Sequence, residues 1–225
     1  MNSIILYHGS TKIIEKPVYG GGSPKNDYGL GFYCTENLEL AKEWASTEQH
    51  DGFANQYEIN TEGLSALHLN HSPYHILNWL SILLKNRTFI VTQGLPLEAM
   101  QYLLANFLPE YEKYDLIIGY RADDSYFSFA NAFLNNTISL DQLRNAMRLG
   151  KLGEQVVLKS EKAFSSLTFK ESIPVDSSLY YPKRMARDRR ARDDFQQMKS
   201  STSTADAVYM IDILRQKWTN DDPRL

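Results

Sequence analysis

Asp27-Tyr28-Gly29-Leu30-Gly31-Phe32-Tyr33-Cys34-Thr35 is the stretch on which the reading of this chain turns. Two glycines run into an aromatic segment, the pattern of a loop entering a short strand. Taken alone, Gly-Leu-Gly-Phe-Tyr also fits a bulged strand with ordinary aromatic packing. Upstream, residues 17–31 hold Pro17, Gly20, Gly21, Gly22 and Pro24 as well, so they read as a loop. Downstream, Leu38, Ala41 and Ala45 stand at helical spacing, predicting a helix over Leu38 to Trp44 capped by Thr35.

Further out, Ile4 to Tyr7 is a short apolar run that predicts a first strand turning at His8-Gly9-Ser10. Strands are expected at Asn55 to Asn60 and Leu64 to Leu69, and a buried one at Tyr114 to Tyr120. Two more are expected at Glu154 to Leu158 and Leu167 to Phe169. Helical periodicity covers Pro73 to Leu84, Leu97 to Leu108, Tyr126 to Leu134 and Ser139 to Leu149. After Pro174 the chain becomes charged, with helices expected over Pro182 to Met198 and Ala205 to Trp218. The helices fall between strands in clumps rather than in regular alternation, so the class is α+β, with residues 176–225 a charged helical extension.

Composition narrows the function. The 225 residues are 43% hydrophobic and 23% charged, ordinary for a folded globular chain. No apolar run reaches the roughly 18–20 residues of a membrane span, and the N-terminus lacks a basic signal region, so a cytoplasmic protein without membrane contact is expected. The single cysteine, Cys34, excludes an internal disulfide framework and a multi-cysteine zinc site. His68, His71 and His75 have no accompanying acid and read as strand-end and helix-start residues, so no metal is expected. Net charge is −3, yet Lys183, Arg184, Arg187, Arg189, Arg190 and Arg192 crowd into one stretch opposed within it by Asp188 alone.

Three clusters carry candidate chemistry. In His8-Gly9-Ser10 a histidine leaves a strand, and the glycine lets a ligand approach the backbone. The quoted glycine loop leads to Tyr33, and Glu154 opens an otherwise apolar strand at a sheet edge. In this order they resemble the ADP-ribosyltransferase family, in its His-Tyr-Glu branch typified by diphtheria toxin and the poly(ADP-ribose) polymerases. His8-Gly9-Ser10, Gly29-Leu30-Gly31-Phe32-Tyr33-Cys34 and Glu154-Gln155-Val156-Val157-Leu158 match that branch's three motifs. Trp44 stands eleven residues after Tyr33, where the polymerases have a second ring-stacking tyrosine. The quoted stretch is also similar to a bacterial subgroup found in toxin–antitoxin operons.

The resemblance implies an α+β fold of split mixed and antiparallel sheets around an NAD cleft, with residues 1–175 the catalytic domain. It implies NAD as the ADP-ribose donor and no metal. His8 would bind the adenosine-side ribose, the Gly9 backbone the carboxamide, and Tyr33 with Trp44 the nicotinamide ring. Ser10 and Gly31 would complete the cofactor contacts, and Glu154 would stabilise the oxocarbenium-like cation. Some positions depart from the pattern. Ala41 replaces a carboxamide-binding serine, for which Ser10 or Thr35 would substitute. Strand alternation lets either Glu154 or Gln155 face the cleft, not both, and Asp123 and Asp124 are alternative acids or a helix cap.

Leu152 occupies the position where arginine-modifying relatives carry Glu or Gln, so arginine is not the expected target. Mono-ADP-ribosylation of a macromolecule, protein or nucleic acid, is the expectation, in a toxin–antitoxin or phage-defence setting. Arg187, Arg189 and Arg190 are candidates for docking a phosphate backbone or a cognate antitoxin, or for a solvated helix face. The alternative function is a module of the same fold that binds NAD, a nucleotide or a partner without catalysis.

Overall fold

A computed structural model describes residues 3–91, 93–122, 124–200 and 206–225, with the side chains of residues 124 and 125 outside the description. The order is β1 (Ser3–Ser10), β2 (Phe32–Cys34), α1 (Leu38–Ala45), β3 (Gly52–Asn60), β4 (Ala66–His68), α2 (Ile76–Asn86) and α3 (Leu95–Asn106). Then come β5 (Leu116–Tyr120), α4 (Asp124–Leu134), α5 (Leu140–Ala146), β6 (Glu154–Leu158), α6 (Glu161–Ser165), β7 (Leu167–Val175), α7 (Ser177–Ser200) and α8 (Met210–Arg215). The class is α+β, as expected.

Two sheets form the frame. One is antiparallel, ordered β1-β3-β7, and the other is mixed, ordered β2-β6-β5-β4 with β4 and β5 parallel. Leu6, Tyr57 and Ile59 from the first meet Phe32, Leu116, Val156 and Leu158 from the second in a dry layer. The opposite face of the mixed sheet, through Leu67, Ile117 and Val157, carries the larger helical core. At its centre α2 is buried almost all round, so its polar residues are satisfied internally. Asn78 donates to the Phe107 carbonyl at 2.8 Å and Ser81 to that of Leu77 at 2.7 Å.

The sheets touch at one bridge, where Tyr7 and Thr35 exchange backbone hydrogen bonds of 2.8 and 3.0 Å. Here the expected turn is corrected. His8-Gly9-Ser10 is not a turn but the end of β1, in register with Asn55, Ala54 and Phe53 of β3. The cap of α1 also moves: Asn37, not Thr35, accepts from the Leu40 N–H at 3.1 Å. Near the C-terminus α7 begins five residues before Pro182, and α8 is shorter than the periodicity predicted. Phe195, Met210, Ile213 and Trp218 of the extension are buried in the main helical core.

Candidate functional site

The cleft is built around β1. Leu6 and His8 are two residues apart and so share the face toward the second sheet, where His8 stacks on Phe32 with ring centroids 4.4 Å apart. The His8 Nδ1 lies 2.7 Å from the Tyr33 carbonyl, so this nitrogen carries the proton and donates. Burial lowers the His8 pKa, partly opposed by that carbonyl and reinforced by the charge of Arg121. His8 is therefore a neutral imidazole whose Nε2 is an acceptor.

Tyr33 follows from β2, and its phenol is spent on its own loop. It donates to the Gly29 carbonyl at 2.5 Å and accepts from the Tyr28 N–H at 3.1 Å. Lys159 fixes the loop from the other side, donating to the carbonyls of Tyr28 and Leu30. Gly31 is required by close approach, since a Cβ there would lie 2.6 Å from Val157 and 2.9 Å from the Leu158 carbonyl. The glycine loop is thus pinned against β6 and presents the Tyr33 ring to the cleft.

On β6 the alternation is decided. Gln155 is buried and lines the cleft, whereas Glu154 is exposed and lines a separate depression with Asn37 and Lys151. Glu154 instead accepts from Asn70 at 2.6 Å. The expected acid is therefore turned away from His8 and Tyr33, because side chains of neighbouring strand residues point to opposite faces. Gln155 donates through Nε2 to Asp27 Oδ2 at 3.0 Å and to the Tyr120 carbonyl at 3.2 Å, leaving its carbonyl oxygen as the remaining acceptor.

Asp27 is the carboxylate that sequence reasoning missed, although it opens the quoted stretch. It is 6% exposed and lines the cleft. The Ala122 N–H donates to it at 3.0 Å, and Arg87 Nε lies 3.6 Å from it. Burial raises its pKa, while the Ala122 and Gln155 donors and the charges of Arg87 and Arg121 pull the other way. The signal available in the sequence was an acid placed directly before the glycine loop.

Other expected contacts separate. Gly9 and Ser10 do not line the cleft. Gly9 faces α1, where a Cβ would sit 2.2 Å from the Ala41 carbonyl, so the glycine admits a helix and not a ligand. The Ser10 hydroxyl accepts from the Lys12 N–H at 3.2 Å. Trp44 does line the cleft, but its indole is already stacked by guanidiniums, with the Arg121 and Arg184 carbons 3.2 and 4.1 Å from the ring centroid. Asp123 lies outside the described residues, as does the side chain of Asp124, whose backbone opens α4.

The extension closes one wall. Arg184, Asp188 and Arg192 recur every four residues of α7, one helical stripe, and all three line the cleft. The neighbouring stripe anchors the helix: Arg187 reaches Glu43 at 2.6 and 2.8 Å and the Gly150 carbonyl at 2.6 Å, and Phe195 packs 4.1 Å from the Phe129 ring. This places Arg187 in a structural ion pair, while Arg189 and Arg190 are exposed. The cleft's volume is about 680 Å³, within the roughly 300–1,000 Å³ usual for small-ligand sites. Among the described residues no group of three acids, histidines or cysteines is placed to hold a metal ion, and no helix is long and apolar enough to cross a membrane.

Fold and site together define a two-sheet α+β protein with an arginine-lined, ligand-sized cleft between its sheets and its last long helix. The chain belongs to the family described as "Protein of unknown function (DUF3990)", whose model matches residues 4–169. No curated protein and no solved structure matches it.

Proposed function

We propose that the chain is an NAD-dependent mono-ADP-ribosyltransferase that releases nicotinamide and transfers ADP-ribose to a protein or nucleic acid, as the toxin of a toxin–antitoxin or phage-defence system. The observation that carries this reading is the convergence of His8, Tyr33 and Gln155 on one cleft, from the three segments that resemble the His-Tyr-Glu branch. In the ADP-ribosyltransferase fold that reading implies, the two sheets described above are the split sheets around the NAD site.

The chemistry assigns roles to these groups. The bond between ribose C1′ and the nicotinamide nitrogen breaks, and its electron pair cancels the positive charge on that ring. A lone pair of the acceptor then forms the new bond to C1′, and the acceptor's proton passes to solvent. His8 Nε2 accepts from a ribose hydroxyl, and Tyr33 provides a ring face for the nicotinamide. The Gln155 carbonyl accepts from the ribose beside the reacting carbon, with the Asp27 carboxylate held directly behind the amide. That places negative charge one residue removed from the developing cation, where the branch pattern has a glutamate. The exposed Arg189 and Arg190 on the outer side of α7 are the contacts for a macromolecular acceptor or an antitoxin.

A second reading, binding of NAD without catalysis, is favoured by the amide that takes the place of an acid in the cleft. Radiolabelled NAD added to cell lysate, with protein and nucleic acid then separated, distinguishes the two. Transferase activity predicts label in one fraction that is lost in Gln155→Ala and kept in Glu154→Gln. NAD that binds but stays intact gives the second reading, and NAD that does not bind overturns both.

A further inference from the structure

A side-chain amide can sit in a site either way round, since a half-turn about its last bond exchanges its oxygen for its NH2 group. The surroundings of Gln155 favour one way. Its Nε2 faces two acceptors, Asp27 Oδ2 at 3.0 Å and the Tyr120 carbonyl at 3.2 Å. The reversed amide would press its oxygen against a carboxylate and a carbonyl, and both of these hydrogen bonds would be lost.

Both acceptors are themselves held. The Tyr120 carbonyl also accepts from the Tyr28 hydroxyl at 2.7 Å and from Trp79 Nε1 at 3.1 Å. Asp27 is gripped at each oxygen: the Ala122 N–H donates to Oδ2 at 3.0 Å, and Arg87 Nε lies 3.6 Å from Oδ1. A carboxylate held at both ends does not turn to follow the amide. Asp27 and Tyr28 are neighbours in the chain, so one dipeptide before the glycine loop steadies both fixed points. Gly119 makes room for it, as a Cβ there would lie 2.5 Å from the Tyr28 hydroxyl.

We infer that Asp27 is a positioning residue that locks the Gln155 amide with its carbonyl toward the cleft, so that the site takes a ligand hydroxyl at this point and refuses an acceptor. The identity of that hydroxyl, on the ribose carbon beside the reacting one, rests on the NAD reading above. The lock itself does not. It also differs from the negative charge that Asp27 brings to the cleft, because a neutral amide oxygen at residue 27 would serve it equally well.

Two measurements test it. The first needs no ligand: the solvent exchange of the Gln155 side-chain amide protons, followed by NMR in the full chain and assigned by their loss in Gln155→Met. Asp27→Ala should speed this exchange about tenfold, and Asp27→Asn should leave it near the wild-type rate. The second compares the dissociation constant of NAD with that of an analogue carrying fluorine in place of the 2′-hydroxyl of the nicotinamide ribose. Wild type and Asp27→Asn should prefer NAD about tenfold or more, whereas Asp27→Ala and Gln155→Met should bind the two within about twofold of each other. An Asp27 that only supports the fold would weaken both ligands together and leave that ratio unchanged. Wild-type exchange in Asp27→Ala overturns the lock, as does equal affinity of the wild-type chain for NAD and the analogue. Loss of the preference in Asp27→Asn would assign the effect to charge and overturn it too. If Asp27→Ala does not fold, the wild-type, Asp27→Asn and Gln155→Met ratios decide. NAD that does not bind removes the proposed function and leaves the exchange measurement to decide the lock.

Discussion

Gly9 sits where β1 passes under α1, and the distance from its missing Cβ to the Ala41 carbonyl leaves no room for a methyl group. The neighbouring contacts, Ala45 N at 2.8 Å and Trp44 C at 3.0 Å, are also backbone, so no flexible side chain can move aside. Gly9→Ala should therefore cost about 2–3 kcal/mol, the scale of overpacking a rigid contact, read as a lower urea midpoint at unchanged slope. An unfolding free energy within a few tenths of a kcal/mol of wild type would show that α1 can lift off β1. His8 and Tyr33, which line the cleft, were legible in the sequence because each follows a local signal, whereas Trp44 was reached only through its spacing from Tyr33 in the family the chain resembles. What was not legible is direction. Glu154 and Gln155 are adjacent, and only the pairing of β6 with β5 and β2 decides which points inward. Asp27 escaped notice for the same reason, since its partners Ala122 and Gln155 lie 95 and 128 positions away in the chain.

At the scale of elements, α7 is held by a narrow stripe and not by a broad apolar face. Arg187, Ala191 and Phe195 make that stripe, and Ala191 and Phe195 are the buried residues of the helix. Glu43, on the facing side of α1, has a side chain only 6% exposed, with the Arg187 guanidinium as its bidentate partner. Removing that partner strands a buried carboxylate, so Arg187→Ala should destabilise the fold by about 3 kcal/mol. The double variant Arg187→Ala with Glu43→Gln should recover part of this loss in thermal unfolding, and no recovery would show that packing of the arginine stem carries the effect. Sequence reading saw a charged helix here but could not see its inner side, since a stripe with one arginine in it gives no apolar periodicity. Pro182 then misplaced the start, because proline is commonest in a first turn, whereas here Asp176 accepts from the Ser178 N–H at 2.8 Å and begins the helix earlier.

For the whole molecule, the division at residue 175 separates sequence character but not packing. Met210 and Ile213 from α8 and Trp218 beyond it are buried in the same core as α2 and α3, and the Tyr102 hydroxyl donates to the Trp218 carbonyl at 3.0 Å. A chain ending at residue 175 would expose that core, so it should lose cooperative thermal unfolding and bind a hydrophobic dye. Retention of a sharp transition would make the extension an independent unit. The α+β class and the position of β6 were readable from local pattern. The arrangement of two sheets joined at Tyr7 and Thr35 was not, since strand order depends on contacts between distant segments.

The chain has three tryptophans, and two of them, Trp79 and Trp218, are sealed in the core. The third lies against the cleft under two guanidiniums. The protein thereby carries its own optical probe: any ligand that draws Arg121 or Arg184 away from the indole alters the emission of Trp44, while the other two act as a constant background.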